Sequence, residues 1–168
     1  MQTILVPMDG SVFCKQIFPH LQNLFPPTDN KLILLRVGDN ADGMVGKPPR
    51  PVSPDMSVES YETQRDVRSA AHPIYASQAW ESAVAELDMD MLDERQALEE
   101  MGYDVTVEIR LGRERGPAIV KYIDTHDIDA IAMTTHWRTG IPKLIFGSVA
   151  QYVAQHTSLP VLMVRPEE

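Results

Sequence analysis

Five short strand-like runs, separated by segments with helical spacing, decide most of what this chain can fold into. Thr3-Ile4-Leu5-Val6-Pro7, Lys31 to Val37, Asp129 to Met133 and Leu159 to Val164 are almost continuously apolar. Such runs suit strands buried on both faces, as in parallel sheets. The fifth is different. Val105, Val107, Ile109 and Leu111 alternate with Thr106, Glu108 and Arg110, so this strand buries one face and belongs near a sheet edge.

The helices are read from spacing and punctuation. Ser11 is a candidate N-cap for a helix with Phe13, Ile17, Leu21 and Leu24 on one stripe. Pro19 lies inside that stripe and predicts a kink or an early end. Trp80, Val84, Leu87, Met91, Leu98 and Met101 predict the core face of one long helix, with Gly102 as its C-terminal cap. Gly116-Pro117 starts a helix with Ile119, Val120 and Ile123 inside, and Gly147 to His156 forms the last. Strand and helix alternate throughout. That pattern predicts an α/β fold with a parallel sheet, helices on both faces and right-handed crossovers. Ligands in such sheets sit beyond the strand C-termini, here after Pro7, Val37 and Met133.

One domain spanning residues 1–168 is expected, interrupted by a Pro/Gly-rich insertion at about 38–73. Pro48, Pro49, Pro51 and Pro54 exclude a long helix or central strand over Gly38–Pro54. That stretch is either a lid bringing Lys47 and Arg50 to a ligand or a disordered or partner-contacting loop. A short helix is expected over Ser57–Ala71, with a break near Pro73.

The net charge of −9 argues against nucleic acid as a partner. Glu81 to Asp104 holds nine acids and one base, Arg95; these acids are expected to fill the solvated face of the long helix or to offer an acidic docking surface. Thr134 to Ser148 holds Arg138 and Lys143 and no acid, which favours a small anionic ligand there. No apolar run approaches the roughly 20 residues of a membrane span, so no membrane partner is expected. The start of the chain reads as a strand and not a signal peptide. A single cysteine, Cys14, fits a cytoplasmic setting, and it is expected to be a packed thiol. The histidines, among them His136, show no metal-ligand spacing, and no catalytic constellation stands out; neither a metal nor an enzyme is expected.

Asp9 follows the first strand directly. Its carboxylate can take a ribose hydroxyl or a base edge, or it can form a turn with its own loop's amides. Gly147-Ser148 offers free amides at a helix start, where the helix dipole favours an anion; Ser148 can cap the helix or touch a phosphate oxygen.

These residues resemble the universal stress protein family nearly end to end. ILVPMDGS resembles its opening strand and acidic turn, and LLRVGD its second strand. VEIRLGRERGPAIVKYIDTHDIDAIAM resembles its third strand, third helix and fourth strand, and GSVAQYVAQHTSLPVLMVR its C-terminal signature. The resemblance implies a three-layer α/β/α fold with a five-stranded parallel sheet of order 3-2-1-4-5, Rossmann-like and of the adenine nucleotide alpha hydrolase-like kind. It implies a cytoplasmic stress-response module with an ATP or AMP pocket drawn from Pro7, Met8, Asp9, Val37, Met133, Thr134, His136, Arg138, Gly147, Ser148 and Val149. It also implies a homodimer through Leu159–Val164, a strand too apolar to stay an exposed edge.

Family members that bind ATP carry G-x2-G-x9-G-[ST] after the fourth strand. Laid on this chain, the glycines fall on Thr134, Trp137 and Gly147, and the last position on Ser148. The spacing is intact, but the first two glycines are replaced. Two readings follow. The pocket still holds an adenylate, AMP more easily than ATP, or Thr134 and Trp137 fill it and the protein works through protein contacts alone. A slow ATP hydrolase is the third and weakest reading.

Overall fold

A computed structural model of the chain describes residues 1–39, 73–135 and 147–167, with no side-chain description for 73–79. In chain order the elements are β1 (Gln2–Met8), a 3-10 turn (Cys14–Ile17), α1 (Phe18–Leu24), β2 (Asn30–Gly38) and α2 (Pro73–Asp90). They continue with α3 (Leu92–Glu100), β3 (Asp104–Leu111), α4 (Arg115–Ile123), β4 (Ala130–Thr134), α5 (Ser148–His156) and β5 (Val161–Val164). The five strands form one parallel sheet in the order β3-β2-β1-β4-β5. The α/β class and the strand order are those expected from the sequence.

Alternation along β1 and β2 sends side chains to two separate cores. Ile4, Val6, Leu32 and Leu34 pack with Ile17, Phe18, Leu21, Met91 and Leu98 on one face. Leu5, Leu35 and Val37 pack with Ile119, Tyr122, Ile131 and Val153 on the other. Ile4, Leu5 and Val6 have no exposed surface, which explains why the run is apolar at consecutive positions. β3 lies at the edge, as its alternation predicts. On its outer portion Arg110 pairs with Glu108 at 2.9 Å and sits 5.1 Å from the centre of the Tyr122 ring.

Several local expectations are corrected. Ser11 does not cap a helix; Asp9 Oδ1 accepts its amide at 2.8 Å. The first helix begins as a 3-10 turn and becomes α only at Phe18, placing Pro19 in the first turn, where its missing N–H costs nothing. Its register turns Cys14, Ile17, Phe18 and Leu21 inward and leaves Phe13 and Leu24 exposed at 37% and 58%. The single long helix is two. At Met91 the N–H reaches back only to the Asp88 carbonyl, a 3-10 step that separates α2 from α3 while Met91 itself stays buried. Pro73 opens α2; Ser57–Ala71 and most of Gly38–Pro54, with Lys47 and Arg50, lie outside the described residues. α4 starts at Arg115, one residue before Gly116. β5 starts at Val161 and not Leu159, because Leu159 donates its N–H to Thr157 Oγ1 in the preceding turn.

Gly102 does cap α3. At φ +94 it lets its own N–H reach the Glu99 carbonyl and the Tyr103 N–H reach the Leu98 carbonyl, the paired bonds of a Schellman motif. The acids of this region are not all on the outer face. Glu94 is 6% exposed and meets Lys15 of the 3-10 turn at 3.3 Å.

The two-core arrangement predicts that Leu98→Ala destabilises by about 2–5 kcal/mol. Gly102→Ala is expected to cost about 1 kcal/mol through its left-handed backbone. Urea unfolding monitored by circular dichroism reads both.

Candidate functional site

β1 sits at the centre of the sheet, so its exit is flanked by those of β2 and β4. Ile4 pairs with Ala130 and Gln2 with Asn30, which brings Met8, Gly38 and Thr134 to the same end. Met8, Val37 and Met133 are each 4% exposed. Their side chains belong to the core, leaving backbone groups as what they offer a ligand. Pro7 and Thr134 are half-buried, and Thr135 after it is buried with its N–H on the Val164 carbonyl at 2.9 Å.

The turn after β1 is the most defined part of this edge. The Asp9 carboxylate takes the Ser11 amide, so it forms the turn with at least one oxygen, the plainer of its two expected roles. Gly10 follows at φ +78. Cys14 then folds back, with its N–H and its thiol both directed to the Ser11 carbonyl. Burial, followed by the nearby charges of Asp9 and Glu94, pushes the Cys14 thiol above its ordinary 9.0. This is the packed thiol expected from the sequence.

At the start of α5, Gly147 is the N-cap, with φ −53 and ψ 147, and no side chain caps the helix. Ser148 is therefore the first helical residue, exposed, and does not cap; Val149 behind it is half-buried. The amides of this first turn have no intrahelical partner by construction. His136, Trp137, Arg138 and Lys143 lie outside the described residues.

Two residues that sequence reasoning missed also stand at this end. Arg36 lies opposite Met8 in the ladder, with its guanidinium against Gly10. A cation following the apolar run Leu32–Leu35 was the available signal. Arg115 meets Asp39 at 3.4 Å, joining the exit of β2 to α4. An open depression of about 540 Å³ lies at the opposite, N-terminal edge, lined by Thr3, Lys31, Ile33, Asp124, Thr125, His126 and Asp127. Two carboxylates against one lysine suit an anion poorly, and the fold rule points to the other edge. Among the described residues no group of three His, Cys, Asp or Glu could hold a metal, and no helix is long and apolar enough to cross a membrane.

The universal stress protein family model matches residues 1–165. The chain belongs to the universal stress protein family. A stretch of 68 residues is 37% identical to the universal stress protein Slr1230 of Synechocystis sp. PCC 6803, covering 40% of this chain and 23% of that protein. The chain thus matches about a quarter of the length of that relative. Among solved structures, the hypothetical protein MJ0577 aligns with a TM-score of 0.68 and 22% identity over 99% of this chain and 97% of its own. UspA from Lactobacillus plantarum aligns at 0.63 and 21% over 98% and 97%. A family member from Arabidopsis thaliana with AMP bound aligns at 0.52 and 14% over 99% and 93%. At these identities the structural likenesses establish the fold.

The raised Cys14 value has a definite sign. The native state holds the thiol protonated while the unfolded chain releases its proton near 9.0, so this stabilisation is full below that pH and falls as pH rises through the native value. Urea midpoints at pH 8 and pH 10 should therefore diverge more in the wild type than in Cys14→Ala.

Proposed function

We propose that the chain is a binding module for an adenine mononucleotide, held at the C-terminal edge of β1, β2 and β4. The observation that carries the reading is the convergence of two anion- and hydroxyl-seeking features on one side of the sheet. The Asp9–Ser11 turn leaves the central strand, and β4 ends at Thr134 before the chain enters α5 through Gly147-Ser148. Asp9 takes the base or ribose, and the first amides of α5 take the phosphate. The AMP-bound relative of the same fold supports this class of ligand.

AMP suits the edge better than ATP. Thr134 stands where ATP-binding relatives have glycine, and its branched, half-buried side chain ends β4 at the place a triphosphate would need bare backbone. His136 and Arg138 belong to this reading as supplementary contacts to the anion. No metal is required, and turnover is not part of it. Asp9 already accepts a backbone amide and, in this reading, serves the base or ribose and not the phosphate, so it is poorly placed as a general base.

A homodimer through β5 belongs to the same reading. Val161, Leu162 and Met163 are only half-buried, and among the described residues β5 pairs on one side alone, with β4. Antiparallel pairing with a second copy would satisfy that edge. A cytoplasmic setting accords with the single, buried Cys14.

Calorimetry with AMP, ADP and ATP tests the ligand. AMP is expected to bind most tightly, and Asp9→Ala to weaken it by about tenfold or more, the loss of one charge-assisted hydrogen bond. Absence of heat and of thermal shift with all three would leave protein contacts as the function. Thr134→Gly combined with Trp137→Gly should create or tighten ATP affinity; unchanged affinity would count against the steric account. Light scattering should give twice the 18.8 kDa of one chain.

A further inference from the structure

Arg36 interrupts a strand whose neighbours on the same face, Leu32 and Leu34, have no exposed surface. A methionine or leucine would fill that volume without a charge. The guanidinium instead brings a cost, since its Nε is buried with no hydrogen-bond partner. What the fold gains is seen at Gly10. A Cβ placed there would lie 2.8 Å from Arg36 Nη2, 3.1 Å from Cζ and 3.3 Å from Nη1. The near-equal distances mean that the planar face, not one tip, meets the turn. Nη1 also donates to the Met8 carbonyl at 3.4 Å, a long bond to the last residue of β1. The turn is thus held from two sides, by Asp9 through the Ser11 amide and by Arg36 through Gly10 and Met8.

We propose that Arg36 is the positioning residue of the ligand edge: its guanidinium, laid against Gly10, fixes the Asp9–Ser11 turn so that the Asp9 carboxylate meets a ligand already ordered. The ligand part rests on the mononucleotide reading above; the ordering of the turn does not. Glycine at position 10 suits this contact on two counts. Any side chain at position 10 displaces the guanidinium, and the φ of +78 independently favours glycine. Lysine would not substitute, because a flexible ammonium has no flat face to lay on the turn.

The test uses the full chain with Arg36→Met. Amide hydrogen exchange on the ligand-free protein should show the Ser11 N–H exchanging about tenfold faster, while the core amides of Leu34 and Ile131 keep their rates. Adenosine and AMP affinities, by calorimetry, should fall by the same factor, because the effect passes through Asp9 and not through the phosphate. An unchanged Ser11 rate overturns the proposal. So does a loss confined to AMP, which would make Arg36 a direct phosphate contact. Should the wild type bind neither adenosine nor AMP, the mononucleotide reading fails, and the exchange measurement alone decides the positioning role. Gly10→Ala is a second route. It should raise Ser11 exchange by displacing the guanidinium, and the double variant should exchange no faster than the faster single one; additive effects overturn the coupling.

Discussion

Burial of β1 on both faces and both edges is the constraint on which the rest depends. Ile4, Leu5 and Val6 expose nothing, and the strand is paired with β2 on one side and β4 on the other. A strand so enclosed can present polar groups only where it ends. Its exit is therefore where Asp9, Gly10 and Ser11 are found, and where the chain first has the freedom to adopt a left-handed backbone. β1 is also the strand from which the chain winds outward in both directions, so the exits of β2 and β4 flank its own at the point where the strand order reverses.

The first turn after β1 is tied into the molecule by consecutive residues that each reach a different partner. Cys14 bonds back to the Ser11 carbonyl, and Lys15 reaches the buried Glu94 of α3. Gln16 grips the backbone of Glu167, donating from Nε2 to its carbonyl at 2.8 Å and accepting its N–H at 2.7 Å. One short 3-10 segment thus joins the exit of the central strand, the helical layer above it and the tail that follows β5. Such ties are individually modest. The Lys15 end of the ion pair is solvent-exposed and screened, whereas the buried Glu94 would lose its ion-pair partner among the described residues if Lys15 were removed.

How much of this was legible follows from what each residue's signal measures. Apolar runs report burial, and burial on two faces is a property of the whole layered fold, so the strands and their α/β alternation could be read directly. Gly102 was legible because a left-handed cap favours one residue type. The 3-10 start of the first helix was not, because Pro19 excludes a helical interior position without saying which neighbouring turn will absorb the change. Glu94 was misplaced for a related reason. Its burial depends on Lys15 arriving from 79 positions earlier, and no periodicity within α3 records that. At the site, Asp9 and Gly147 stood out as residue types with special backbone chemistry, while Arg36 did not. An arginine at a strand end reads as a solvated charge until the fold shows which backbone lies against it.

Gly147 and Thr134 bear on the ligand in opposite directions. The φ of −53 and ψ of 147 at Gly147 are open to any residue, so backbone geometry does not demand glycine there. What glycine does supply at an N-cap is the absence of a Cβ beside the unpaired amides of the first helical turn. In the proposed site that leaves room for one anionic group. In the proposed site Thr134, at the far end of the same connection, stands where ATP-binding family members have glycine, with a β-branched side chain of restricted rotamers. In that reading an edge with uncapped amides at one end and a branched side chain at the other discriminates by length. On the proposed reading it suits one phosphate better than three, through the shape of the entrance and with no change in net charge.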